Sequence, residues 1–319
     1  MTGEEHARLR PLYLKVLSPS AMTQYRTEHV LPIVNDAIDQ IQARGSAELV
    51  SEFAFVVPSR VMASLFGLPW RDDELISTIA KCHRNVVAWA YDQHSEDKIG
   101  QGKMASVELS NIFRPLIVKR RETSGDDLIS QLWTLVPQYW ANVEVEDILS
   151  IVRDIAIASG ETTTNAIANA IYLYLTNASA REAVKGQEGA LNALVEESLR
   201  LLGSIQFRFR TANIDVSLAG VKIKRGDNIC MVHAAANRDR SRYLHPHMVD
   251  LTRKRPTDHL AFSVGPRMCP GLHLARLMIR ECLKSLIARL PEVRLDDKRG
   301  PPRFRGFSHR SFGPLHVVC

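Results

Sequence analysis

The sequence predicts a large, mainly α-helical domain with a small β-rich part near its C-terminus, on three observations. Apolar residues recur at helical spacing through most of the first ~200 residues. A run from about Val145 to Leu175 holds no proline and would cross a whole domain as one helix. After Leu202 the pattern changes to short alternating segments separated by glycine and charged residues.

In chain order, a helix is expected over Met22 to Ile41 from its apolar spacing. Another is expected over Arg60 to Phe66, after Pro58 and closed by Gly67-Leu68-Pro69. Further helices are expected over Asp72 to Ala90 and Met104 to Lys119. Ser124 to Asp127 reads as a turn and N-cap for the segment LISQLWTL. Gly203-Ser204 ends the helical half, and FRFRTANIDVSL and VKIKRGDNICMV read as strands. Asp239 to Pro256 is irregular, Leu272 to Leu290 is helical again, and RFRGFSHRSFGPLHVV reads as a β-hairpin. Without an internal repeat or a low-complexity linker, residues 1–319 are expected to form a single domain.

The 319 residues are 45% hydrophobic and 24% charged, which is ordinary globular composition. No apolar run is long enough to span a bilayer, and the N-terminal residues do not read as a secretory signal, so a cytoplasmic protein without membrane contact is expected. The net charge of +6 is spread along the chain without a recognition motif, so nucleic-acid binding is not expected. The five cysteines are an odd number with no C-x-x-C pair, which argues against a disulfide framework or a zinc knuckle.

One cysteine stands apart. In AFSVGPRMCPGLHLAR, residues Phe262, Gly265, Arg267, Cys269 and Gly271 fit F-x-x-G-x-R-x-C-x-G at every defined position. A thiolate that binds haem iron must bring its backbone close under the porphyrin, which Gly265 and Gly271 would permit. Pro270 suits a first helical position, and a helix starting there favours a thiolate through its unpaired N–H groups and dipole. Phe262 could shield the sulfur from water and Arg267 could meet a haem propionate. A thiolate ligand pushes electron density toward iron and favours O–O cleavage.

With this loop, the chain resembles the cytochrome P-450 superfamily of bacterial, soluble haem-thiolate monooxygenases, from the family's C helix to its C-terminus. Ala158-Ser159-Gly160-Glu161-Thr162-Thr163 resembles the A-G-x-[DE]-T-[TS] string of the family's long central helix, with Ser159 in place of the usual glycine. Reduction of dioxygen needs protons, and a carboxylate beside a hydroxyl can relay them, so Glu161 and Thr162 are the catalytic candidates. Thr162 could also bond back to the Ala158 carbonyl and loosen the helix. Glu197 and Arg200 resemble the family's buried E-x-x-R pair, one helical face apart by i,i+3. In the family an arginine from the following irregular segment completes that pair. Here Met248 stands at the matching position, leaving His247, Arg253 or a weaker lock as alternatives.

The resemblance also implies that His6, Arg10, Arg210 and Arg267 hold the propionates of haem b, whose iron takes Cys269. His6 and Arg10 would lie one above the other on a helix. Substrate contacts would be expected near Ile157 and Ala158, from Ile205 to Phe207, and in the turn from Phe307 to His309. Electrons would come from NAD(P)H through a ferredoxin reductase and a ferredoxin, with Arg276 among the basic residues able to dock an acidic partner. The protein is expected to be a monomer acting on a small organic molecule of the secondary-metabolite or terpenoid kind. The family's first segment is expected to be missing before Met1, through a late start, a degraded gene copy or a real short form. A non-catalytic haem-binding fragment is therefore the second reading. A peroxide-driven oxygenase is disfavoured by the acid–alcohol pair.

Overall fold

The computed structural model describes residues 3–91, 94–187 and 189–319. Its helices are α1 (Gly3–Val16), α2 (Met22–Tyr25), α3 (Leu31–Arg44), α4 (Val56–Leu65), α5 (Asp73–Tyr91), α6 (Glu96–Glu122), α7 (Leu128–Leu135), α8 (Val145–Thr176), α9 (Ala178–Gly186), α10 (Ala190–Leu202), α11 (His233–Ala236) and α12 (Leu272–Arg289). Its strands are β1 (Ser46–Glu48), β2 (Arg208–Thr211), β3 (Val216–Leu218), β4 (Val221–Ile223), β5 (Asn228–Met231), β6 (Arg294–Leu295), β7 (Arg303–Gly306), β8 (Arg310–Gly313) and β9 (His316–Val318). The fold is mainly helical with small sheets, as the periodicity predicted.

The chain divides into two compact units: Met1–Thr164 with Pro270–Asp296 and His316–Cys319, and Asn165–Cys269 with Asp297–Leu315. In the first unit α3 packs on α12, and α5 pairs with α6. Ile33, Ile38, Ile41, Ile279, Leu283 and Leu286 are fully buried there. The sheet β1-β9-β6 is antiparallel throughout, with Ala47 opposite Val317 and Leu295 also opposite Val317. Buried Arg60 bonds Asp36 at 2.8 Å and Asp73 at 2.7 Å, tying α4 to α3 and α5.

The second unit holds the C-terminal part of α8, helices α9 to α11 and three two-stranded sheets, β2-β5, β3-β4 and β7-β8. Asn169 on α8 binds the strands to the helices: its amide nitrogen donates to the Leu202 carbonyl at 2.6 Å and the Arg310 carbonyl at 3.1 Å. Its amide oxygen accepts from the Phe312 N–H at 2.9 Å.

Several expectations need correction. The helix expected from Met104 starts at Glu96, because Ser95 caps it and Glu96 and Asp97 sit favourably in its first turn; the glycines at 100 and 102 hid that start. The helix placed at Arg60 starts at Val56, with Pro58 inside its first turn, where no N–H is needed. The segment from Met22 is interrupted by a π-type turn at Arg26–Val30. Only Arg303 to Gly313 of the expected C-terminal hairpin is a hairpin. Residues His316–Val318 pair instead with β1 and β6. Helix α12 begins at Leu272 with Gly271 as N-cap, so Pro270 precedes the helix rather than opening it.

Candidate active site

In the second unit, the cysteine loop hangs from a buried polar lattice on α10. Arg200 and Glu197 are each about 99% buried. They form a two-bond fork, Nε to Oε1 at 2.6 Å and Nη2 to Oε2 at 2.8 Å. Arg200 Nη1 also donates to the carbonyls of Asn237 at 2.9 Å and Pro246 at 2.7 Å, and Nη2 to that of Met248 at 3.0 Å. The open question of the third partner is decided for Arg253, whose Nε donates to Glu197 Oε1 at 3.0 Å. Met248 offers only its backbone; its side chain is exposed.

From this lattice the chain leads directly to the loop. Buried Asn237 accepts from the Leu260 N–H at 2.7 Å. Buried His259 lies 3.0 Å from Glu196 through Nε2, while its Nδ1 accepts from the Ala261 N–H at 3.2 Å. Nδ1 is thus an acceptor, so the ring proton sits on Nε2 and donates to Glu196. Sequence reading missed His259 and Glu196, which have no motif between them. The loop then closes through the Cys269 N–H, which donates to the Phe262 carbonyl at 2.8 Å.

Gly265 sits at φ +71°, a left-handed conformation that favours glycine. Gly271 has φ −84°, so its expected special backbone role is not needed. Arg267 is exposed in the turn Gly265–Arg267, and Arg210 is exposed on β2 with Nη1 donating to the Phe209 carbonyl at 2.8 Å. Cys269 is half-buried and not disulfide-bonded. Val264 and Met268 beside it expose 63% and 37% of their surface. A soft sulfur donor, apolar side chains around it and two arginines fit an iron porphyrin with carboxylate tails. Burial raises the thiols of Cys82, Cys282 and Cys319 above their ordinary range.

Three of the five substrate candidates come together in this unit. Ile205 bridges to His309, and Phe207 meets Phe307 edge to face with ring centres 5.1 Å apart.

In the first unit, His6 and Arg10 are half-buried on α1, four residues apart and therefore on one face. Thr162 Oγ1 donates to the Ala158 carbonyl at 2.9 Å, and Ser159 Oγ to the Ala156 carbonyl at 3.1 Å. Helix α8 nonetheless runs unbroken from Val145 to Thr176, so the expected loosening does not interrupt it. Ile157 is half-buried and Ala158 exposed on the same stretch. Burial raises the Glu161 carboxyl above its ordinary range, with nearby Arg84 opposing.

Sequence reading also missed His83. It stands on α5 on the stripe of Ile76, Ile79 and Ala80, a histidine within an apolar helical face. Its ring lies so close to Gly160 of α8 that a Cβ there would collide with Nδ1, so only glycine admits it. Ser59, Met62, Phe66 and Ala156 line the same small cavity. Burial, then the charge of Arg84, push the imidazole down to about 4 from 6.5, against the pull of the Ile157 carbonyl.

The consequence for stability has a definite sign. Below pH 6.5 the unfolded chain takes up a proton that the folded His83 refuses, so stability falls as pH drops from 6.5 toward 4, by on the order of 3 kcal/mol. Unfolding free energies from denaturant titrations at about pH 7 and about pH 4.5 are expected to differ less in His83→Phe than in the parent, by on the order of 2–3 kcal/mol.

The family model described as cytochrome P-450 matches residues 190–309. The biotin biosynthesis cytochrome P-450 of Bacillus subtilis is 30% identical over 293 residues, which cover 92% of this chain and 72% of that protein. Mycinamicin IV hydroxylase/epoxidase of Micromonospora griseorubida is 31% identical over 304 residues, covering 92% and 72%. Among solved structures, P-450BioI in complex with hexadec-9Z-enoic acid ligated acyl carrier protein aligns at TM-score 0.89 and 28% identity, covering all of this chain and 80% of that one. The Bacillus megaterium protein CYP109E1 in complex with testosterone aligns at 0.87 and 26%, covering all of this chain and 85% of that one.

Proposed function

Because the chain belongs to the cytochrome P-450 family of haem-dependent monooxygenases, we propose that Cys269 ligates the haem iron and that the protein inserts one oxygen atom from dioxygen into a small organic substrate. The observation that carries this reading is the Cys269 loop itself, pinned through Phe262, Ala261 and Leu260 to the buried Glu196, Glu197 and Arg200 lattice. Such support holds a thiolate at a fixed place, which a metal ligand requires.

Haem bound through a thiolate supplies the reductive activation of dioxygen and cleavage of its O–O bond. The chain's own residues do the rest. Arg210, Arg267 and Arg10 would offer guanidinium N–H donors, and His6 an imidazole N–H, to the two propionates of haem b. Glu161, whose carboxyl is held above its ordinary range, is the proton source closest in sequence to Thr162. The Thr162 hydroxyl already spends its hydrogen on the Ala158 carbonyl, which turns its oxygen lone pairs toward an incoming donor. In a relay the Thr162 oxygen would take a proton from the Glu161 carboxyl while its own hydrogen leaves the Ala158 carbonyl for the acceptor in the pocket, and the Glu161 carboxylate would be reprotonated from solvent. Replacing Thr162 by valine keeps the shape and removes the relay. Product per NAD(P)H consumed is expected to fall about 10²-fold with haem content unchanged, by parallel assay of oxidant use and product.

Electrons are proposed to come from NAD(P)H through a ferredoxin reductase and a ferredoxin, docking beside Arg276 in a cytoplasmic monomer. Relatives named mycinamicin IV hydroxylase/epoxidase, C-19 steroid 1alpha-hydroxylase and biotin biosynthesis cytochrome P-450 support a mainly apolar organic substrate of secondary metabolism. Ile157, Ala158, Ile205, Phe207 and Phe307 are its proposed contacts. The reduced, carbon-monoxide difference spectrum tests the whole reading. The red-shifted Soret band of a thiolate ligand is expected, and absence of haem uptake would refute it.

A further inference from the structure

We propose that His83 is a positioning residue for the Glu161–Thr162 pair: its ring, seated against Gly160, fixes the turn of α8 that carries the acid and the alcohol. The inference rests on the monooxygenase reading and deepens it at the same site. In a regular helix the carbonyls of Ala156, Ile157 and Ala158 accept from the N–H groups of Gly160, Glu161 and Thr162. Here each of the three takes a second donor. Ser159 Oγ donates to the Ala156 carbonyl at 3.1 Å and Thr162 Oγ1 to that of Ala158 at 2.9 Å. Between them, the His83 ring donates to the carbonyl of Ile157.

A second donor shares a carbonyl with the helical N–H and softens the ladder at that point. Ser159 and Thr162 do so from within α8. Of the three donors, His83 alone reaches α8 from another helix, so it sets where this turn sits against α5. The sequence on both sides serves that contact. Glycine inside a helix is destabilising relative to alanine, and at 160 it is what lets the ring reach the backbone. Glu161 follows it directly, so the ring bears on the residue next to the acid.

The energetics point the same way. His83 is buried, and Met62, Phe66, Ile79 and Phe113 line the same cavity. A polar ring in such a place costs free energy unless its N–H is bonded, whereas an apolar side chain would pack there without that cost. What histidine adds over an apolar residue is the donor to α8. Burial also keeps the imidazole neutral at pH 7, so it holds the turn without placing a charge beside the Glu161 carboxyl.

The test reads amide hydrogen exchange and the fate of dioxygen in the purified holoprotein at pH 7. In His83→Phe, which fills the same place without an N–H, the amides of Gly160, Glu161 and Thr162 are expected to exchange about 10-fold faster, with the flanking turns of α8 unchanged. With NADPH, a plant-type ferredoxin and its reductase, hydrogen peroxide released per dioxygen consumed is expected to rise toward one. Reduction to peroxide takes two electrons and two protons, and reduction on to water takes two more of each, which the relay must deliver. That quotient does not depend on how much protein is folded, so a merely structural loss leaves it in place. His83→Gln, which keeps an N–H donor, is expected to restore part of both readouts. Gly160→Ala, whose methyl displaces the ring, is expected to reproduce His83→Phe. Adding His83→Phe to Thr162→Val is expected to raise the quotient no further than Thr162→Val alone. Exchange that rises evenly along the chain, a quotient equal to the parent's, or additive effects in the double variant overturns the proposal. Exchange reads the turn with or without haem. A missing thiolate spectrum therefore refutes the monooxygenase reading alone, and an unmoved turn refutes the role of His83 alone.

Discussion

Replacing Cys269 by alanine is expected to abolish the thiolate signature in the reduced carbon-monoxide spectrum and to bring substrate oxidation down to background. The thiolate is the anionic soft donor that the loop presents; Met268 beside it is a neutral thioether that cannot give the thiolate signature, and Phe262, Gly265, Arg267 and Gly271 are not soft ligands. The fold is expected to survive, because the loop's own anchor is backbone, from the residue 269 N–H to the Phe262 carbonyl, and alanine keeps that N–H. Circular dichroism and the denaturant midpoint check this second half. Cys282→Ala is the control. That thiol is fully buried and inert, so its loss leaves a small cavity costing about 1 kcal/mol and leaves the spectrum intact. An unchanged thiolate spectrum in the residue 269 variant would remove the basis of the proposed function.

Arg200→Ala is expected to be the most destabilising single change in the second unit, at about 3–5 kcal/mol, because it leaves the Glu197 carboxylate buried with part of its pairing gone. The carbonyls of Asn237, Pro246 and Met248 lose their donor in the same step. Since domains of this kind are marginally stable, such a loss takes away much of the total. Arg253→Ala is expected to cost less. Arg253 gives Glu197 one bond where Arg200 gives two, and its other bonds reach the Leu244, His245 and Met248 carbonyls near the surface. Replacing both members of the fork, Glu197→Leu with Arg200→Met, is expected to cost less than Arg200→Ala alone, because no carboxylate is left buried and the cation that loses Glu197, Arg253, keeps Asp250 at 3.8 Å and the carbonyls of Leu244, His245 and Met248. Urea titrations of the three variants order them directly, and a double variant weaker than Arg200→Ala would contradict this account. The lattice also holds the cysteine loop through Asn237 and His259, so Arg200→Ala is expected to lower haem retention even where the chain still folds.

Both predictions concern residues whose types and spacing were readable from the sequence. The Cys269 loop, the Glu197–Arg200 pair and the Glu161–Thr162 pair each occupy a short stretch, and their local geometry follows from helical spacing and glycine conformations. The bond from Thr162 to the Ala158 carbonyl likewise follows from an i,i−4 relation on one helix. Helices with a clear apolar period were placed within a few residues: α5 at Asp73–Tyr91, α8 at Val145–Thr176 and α12 at Leu272–Arg289. Where polar residues and glycines masked the period, as before Met104, the element was cut short, because a cap and a first-turn dipole leave only a faint local signal.

The sequence by itself determined the helical class, the cysteine loop and the local pairs, because each depends on contacts between residues a few positions apart. Tertiary structure alone decided that Arg253, and not the residue at the matching position 248, closes the lock on Glu197, and that His259 joins Glu196. It also decided that His83 lies against Gly160, that His316–Val318 leaves the hairpin for β1 and β6, and that His309 meets Arg208. The physical reason is common to all five. A buried polar group or strand edge takes whichever partner folding brings within hydrogen-bonding distance, and those partners are tens to hundreds of residues away, where neither periodicity nor motif spacing carries information.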